Sequence, residues 1–294
     1  MPELGDVTAP PRAKQAESKQ DKTKSSLERA FMDSAERFLL KHQELEQIAL
    51  ATLQVARLLM VSGARAEVVH EGSAMVALGL GAEHAELRSG YASLAITVGA
   101  GINTITRMAG VGPLGVNHRL DQAVRGLARR VQKNGLTPAA VVAELASLER
   151  NTPKHPPWLV ATAVGVACAA FGRLFGVDWQ AFLPVIVAVA GGQAIRHGLL
   201  QRGANVFVTS AIVAFLSSCF CGLTAKWSGS ATIDSAMVAS VLLLVPGVPA
   251  LNSQSDIMEG HPTLGTARAV SVVMILMFIA IGVLNARAVL GIGP

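Results

Sequence analysis

The sequence predicts an α-helical multi-pass membrane protein, with about five transmembrane helices and an amino-terminal cytosolic α+β domain. Three observations lead there. First, 51% of the 294 residues are hydrophobic and only 15% charged, against roughly 25% charged in an average globular chain. Second, the charges are segregated. Residues 1–157 hold 19 of the 25 Lys/Arg and 16 of the 20 Asp/Glu, leaving 6 and 4 for residues 158–294. So few charges cannot clothe a water-soluble surface, so the second half belongs in lipid. Third, residues 26–150 switch from a helical apolar period to a period of two and back.

Residues 1–25 contain Pro, Lys, Glu, Gln and Ser with almost nothing to bury, and are expected to be a disordered tail. No apolar leader core is visible in Met1–Lys24, so the amino terminus is expected to stay in the cytoplasm. Within the expected cytosolic domain, 26–150, helices are predicted over Leu27–Lys41, Glu44–Val61 and Ala66–Leu78. Gly63, Gly79 and Gly81 stop the last two. Strands follow at Glu86–Arg88, Tyr91–Val98 and Ile102–Met108, with Gly99-Ala100-Gly101 as a turn. Asn117 caps a helix reaching Asn134, and Thr137-Pro138 opens another reaching Arg150. Residues 151–157 form a Pro-rich linker, because Pro153, Pro156 and Pro157 cannot continue a helix.

The membrane domain, 158–294, is delimited by charge-free intervals at 155–172, 179–195, 203–225, 235–255 and 269–286. A hydrocarbon core of about 30 Å needs roughly 17–25 helical residues, so five spans fit, near 158–176, 179–195, 204–225, 235–251 and 268–287. Trp158, Trp179 and Trp227 fall at span ends, where amphipathic rings meet headgroups. With the amino terminus inside, the inner loops carry Lys154, Arg196, Arg202 and Arg268, and the outer side Arg173, Lys226 and Arg287.

The feature with most chemical content closes the fourth span. Pro246 and Pro249 remove two backbone donors three residues apart, and Gly247 relaxes the chain between them. A helix must break here, and Asn252, Ser253 and Asp256 follow at once. Broken helices beside polar clusters are how transporters build substrate and ion sites. Pro246, Gly247, Pro249, Asn252, Ser253 and Asp256 are therefore the candidate pathway residues. Thr162, Gln193, Thr209, Ser210, Ser217, Ser218 and Ser240 read as helix-packing residues, and Gly165 and Gly191-Gly192 as points of close helix approach.

Other patterns carry less. Gly110-Val111-Gly112-Pro113-Leu114-Gly115 has the spacing of a dinucleotide fingerprint. It lacks the later acid and the parallel strand, so it reads as a glycine turn. Glu67, His70 and Glu71 share a helical face but form at most half of a di-metal site. Arg125, Arg129 and Arg130 read as a solvated basic face. Cys168, Cys219 and Cys221 all lie in apolar stretches, as membrane packing and not as a disulfide or zinc framework. No cofactor, metal or nucleic-acid partner is expected, and no catalytic residue.

Several of these segments resemble the threonine/serine exporter family. They are Ser62-Gly63-Ala64-Arg65-Ala66-Glu67, Gly115-Val116-Asn117 and Phe175-Gly176. The longest is Pro246-Gly247-Val248-Pro249…Asn252…Asp256…Gly260, before a last span opening Gly265-Thr266-Ala267-Arg268. The resemblance covers about residues 45–290. It is closest to the split type, in which a domain-bearing five-span subunit works with a separate small multi-span membrane subunit. It implies a subunit of an inner-membrane secondary exporter of small carboxylates, threonine/serine or dicarboxylates such as succinate, coupled to protons. It also implies a bacterial inner-membrane location, a lipid-embedded complex and a possible homo-oligomer. The alternative is a membrane-tethered cytosolic hydrolase or sensor using Glu67, His70 and Asn117. The chain is expected not to be an enzyme, since an anchor needs one span and no broken helix.

Overall fold

The computed structural model describes residues 41–153 and 155–292. The expected tail, the helix over Leu27–Lys41 and Lys154 fall wholly or mostly outside them. The first described element, α1, covers residues 41–61. From Ala51 to Met60 only Gln54 and Arg57 reach the surface, so α1 is a central helix packed on nearly every side. It ends where Ser62 Oγ donates to the carbonyls of Leu58 and Leu59, and Gly63 takes a left-handed φ of 94°. Helix α2, Ala66–Gly79, follows after the four-residue connection Ser62–Arg65.

Strands β1 (His84–Ser89), β2 (Ser93–Ala100) and β3 (Asn103–Gly110) form an antiparallel meander in that order. The period-two signal is literal: Leu94, Ile96 and Val98 of β2 are fully buried, and between them Thr97 faces Thr106 across the opposite surface. One expectation shifts. Gly99 is a strand residue paired with His84, and the turn narrows to Gly101-Ile102 because Ala100 pairs with Asn103. Helix α3, His118–Asn134, is capped by Asn117, whose side chain accepts from the Leu120 amide at 3.1 Å. Helix α4, Pro138–Asn151, opens with Thr137 Oγ1 accepting from Ala140. Arg125 pairs with Asp121 at 2.8 Å and Arg130 with Glu144, so two of the three clustered arginines are held within this part of the chain. The faces of these elements close on one apolar core, which also takes in Leu264 from the far end of the sequence.

After Asn151 the helices become long and apolar. Helices α5 (Pro157–Leu174), α6 (Phe182–Gln201), α7 (Val206–Trp227) and α10 (Pro262–Leu290) are each long and apolar enough to cross a membrane. Between α7 and α10 lie α8 (Ile233–Val241), a 3₁₀ turn (Leu242–Leu244) and α9 (Gly247–Met258). The two halves of this pair are bent by 64°. Four straight candidates and one bent pair give four or five spans. Two ties fix one end of the bundle. Asp178 accepts from the amides of Ala181 and Ala231 and from Ser230, joining two connections, and Arg287 reaches Asp234 at 3.2 Å.

The largest departure from expectation is the last helix. It starts at Pro262, six residues before Arg268, and its 29 residues make it about 43 Å long against a hydrocarbon core of about 30 Å. A charge-free interval has to start after Arg268. A helix need not, because here Arg268 is buried with a partner.

Candidate functional site at the helix break

Backbone chemistry produces the break. Pro246 offers no N–H, so the chain tightens into the 3₁₀ turn and Gly247 N donates to Val245 O at 2.9 Å. Helix α9 then starts at Gly247, with Pro249 in its first turn, where a missing donor costs nothing. Asn252 and Asp256 stand one turn apart and so share a face of α9.

That face is turned to the amino-terminal part of the chain. Asn252 Nδ2 donates to Gly63 O at 2.8 Å. Asp256 Oδ1 accepts from the Ala66 amide at 2.8 Å, and Oδ2 from Arg268 Nη1 at 2.5 Å. Ala66 is the first residue of α2, whose preceding residue, Arg65, supplies no side-chain cap. Asp256 therefore caps α2 from 190 residues away, placing a carboxylate at the positive end of the helix. Arg268 is held in turn: its Nη2 donates to Ala64 O at 3.0 Å and lies 3.2 Å from Met60 Sδ. Both members of the pair are buried, Asp256 at 0% and Arg268 at 4% exposure.

Around this pair the contacts continue. Glu259, in the turn after α9, pairs with Arg65. His261 donates its backbone N–H to Asp256 O at 2.7 Å, and its ring lies 4.4 Å from that of His70, which is also hydrogen-bonded to Ser89. Burial, and then the neighbouring His261, push the His70 imidazole below its ordinary value, and Asp256 opposes this only in part. Gly265 lets α10 lie directly on α9, since a Cβ there would sit 2.8 Å from Ser253 O. The connection Ser62–Arg65 is itself clamped: Gly115 N donates to Val61 O and Asn117 N to Ser62 O, both at 2.9 Å. A Cβ on Gly63 would meet Gly115 O at 2.8 Å. Three of the segments that resemble the exporter family, distant in sequence, thus meet at one seam.

The structure sorts the candidate residues. Asn252 and Asp256 come together at the seam, while Ser253 donates to Ala250 O of its own helix and Pro246, Gly247 and Pro249 shape the break. Glu67 is exposed, with Arg65 3.9 Å away, and Asn117 caps its own helix. Only His70 of those three touches the α9–α10 hairpin. Among the described residues no three His, Cys, Asp or Glu side chains form a group able to hold a metal ion. Glu259 and His261 escaped the sequence reading, and Arg268 was expected only as a charge at the start of the last span. Their signal was available: Asp256 and Arg268 are opposite charges flanking the Gly260 turn, where a helical hairpin brings them face to face.

The long apolar helices and the bent pair are those of a multi-pass membrane protein with four or five candidate spans. The family model described as "Putative threonine/serine exporter" matches residues 51–290. The chain belongs to this threonine/serine exporter family. It is similar to the "Probable succinate transporter subunit YjjP" of Escherichia coli, at 34% identity over 142 residues, 47% of this chain and 55% of that protein. With the protein of the same name from Klebsiella aerogenes it shares 27% identity over 241 residues, 82% of this chain and 93% of that one. The match thus spans about half the length of the first relative and nearly all of the second. The names are those of transporters, not of enzymes. No solved structure matches the chain.

Proposed function

We propose that this chain is a subunit of a secondary exporter of small carboxylates, threonine and serine or dicarboxylates such as succinate, driven by protons. It works in the bacterial inner membrane with the amino-terminal part in the cytoplasm. The observation that carries the reading is the 64° break in an otherwise apolar helix pair, followed by the half-buried Asn252 and the buried Asp256–Arg268 pair. An anchor has no use for such a break, and a broken helix with polar groups at its end is a transporter device. The relatives' names support succinate among the substrates, and the word "subunit" in them supports a multi-subunit transporter, whose further member in this proposal is a small multi-span membrane protein.

The charges of the connections support this side of the membrane. The amino-terminal part sits at the end of the bundle where the break and the start of α10 lie. By sequence position alone, Lys154, Arg196, Arg202 and Arg268 count to the side of the amino-terminal part, against Arg173, Lys226 and Arg287 for the other, an excess that supports a cytoplasmic face. Asp256 is the coupling group of this proposal.

Two measurements test the reading. A deletion strain, assayed together for excretion of threonine, serine and succinate, should retain at least one of them internally. Unchanged excretion of all three overturns the assignment. At matched expression, Asp256→Asn should abolish proton-driven export and Asp256→Glu should keep part of it with a shifted pH optimum. A fully active Asn variant removes Asp256 from coupling.

A further inference from the structure

Arg196 lies in the last third of α6, half-buried, and among the described residues it has no ion-pair or hydrogen-bond partner. The other arginines and lysines after Pro157 are accounted for. Arg268 holds Asp256, Arg287 holds Asp234, and Arg173 donates to Val177 O and covers the Trp179 ring. Arg202 and Lys226 stand exposed at helix ends. An unpaired guanidinium taken partly out of water is costly, so its position calls for an anion that comes and goes.

The register of α6 against α7, carried one turn further, gives the residue opposite it. Ser217 Oγ donates to Ala188 O at 3.3 Å, and a Cβ on Gly192 would meet Val213 and Ser217. Four residues forward on α6 correspond to four backward on α7, so the next step sets Arg196 opposite Thr209. Thr209 is buried, at 1% exposure, and among the described residues its hydroxyl too has no hydrogen-bond partner. The same level borders the break: Leu199, one turn beyond Arg196, packs in one cluster with Val213 of α7 and with Leu243 and Leu244 of the 3₁₀ turn.

We propose that Arg196 binds a carboxylate of the exported solute inside the bundle, with the Thr209 hydroxyl as its second contact. This rests on the exporter reading above and names the group that recognises the substrate. A guanidinium presents two parallel donors to a carboxylate, which suits a planar anion and is not reproduced by lysine.

The test is uptake of labelled succinate, with labelled threonine in parallel, into inverted membrane vesicles carrying the full chain and its partner subunit. Arg196→Gln should raise KM about tenfold or more at unchanged protein level, and Arg196→Lys should fall between. In a background with Cys168, Cys219 and Cys221 replaced, Arg196→Cys should be protected from thiol reagents by succinate. A reagent that adds an ammonium should restore part of its transport, while a neutral one should not. A KM for Arg196→Gln within twofold of the parent overturns the proposal. So does labelling of Arg196→Cys that succinate leaves unchanged, the outcome that decides if Arg196→Gln fails to accumulate. Effects that vanish in vesicles of neutral lipid assign Arg196 to a headgroup phosphate instead. If the parent protein moves neither solute, the exporter reading itself fails.

Discussion

Replacing Arg268 by Gln strands a fully buried carboxylate. In the native seam Asp256 has a cation on one oxygen and the Ala66 amide on the other. After the change only the amide and a neutral side chain remain. Removing one partner of a buried pair costs about 3–5 kcal/mol, because the surviving charge has no water to return to. Local opening of the seam should become easier by that amount, on the order of a hundredfold to several thousandfold. Hydrogen exchange at the start of α2 reads it directly, since the Ala66 N–H is itself one of the bonds. The double variant Asp256→Asn/Arg268→Gln should recover most of the protection, because two neutral amide side chains can pair without burying charge. Less than a tenfold change for Arg268→Gln, or a double variant whose loss is the sum of the singles, would refute the reasoning. The same measurement separates two roles for Asp256. An Asn variant that loses export while keeping the seam protected has lost a coupling group; one that loses both has lost an anchor.

Two further outcomes follow from neighbouring residues. Leu264, 1% exposed and part of the amino-terminal core although it lies on α10, should cost about 2–5 kcal/mol when cut to Ala, read as a lower melting temperature of the full chain in detergent. A shift within error would show that the core does not depend on it. His70 is held below its ordinary value of 6.5, so between 6.5 and its lower folded value the opened state binds more protons than the closed one. Seam stability from this group is complete above about pH 6.5 and declines as pH falls below it. Exchange in α2, corrected for intrinsic rates, should rise between pH 7.5 and 5.5, and His70→Gln should flatten that dependence; an unchanged slope refutes it.

Local signals were the readable ones. Asn117, Thr137 and Pro138 announced their helix starts, the alternation of Leu94, Ile96 and Val98 announced a strand, and Pro246 with Pro249 announced a break. Each depends on residues within a turn or two of one another. What stayed hidden was the destination of the polar face after the break. Asn252 and Asp256 were expected beside a pathway, and their hydrogen bonds go to Gly63 and Ala66, about 190 residues away in the chain. Periodicity contains no information about such a contact. Arg268 was misleading for a related reason: a lone charge looks like a helix boundary until its counter-charge is seen, and here that counter-charge lies across a turn.

Helix α10 runs unbroken from the seam to the opposite end of the bundle, and that continuity has a mechanical meaning. Near its middle Phe278 rests on Phe207 of α7, with ring centres 5.9 Å apart. The stretch from Pro262 to Phe278 projects about 24 Å to one side of that contact, and Phe278 to Leu290 about 18 Å to the other. A stiff rod pivoting there by about 10° would carry its seam end roughly 4 Å one way and its far end roughly 3 Å the other. With the seam end gripped by Asp256 and the far end by Asp234, a shift of the amino-terminal part would be felt across the bundle with no intervening chain of small rearrangements.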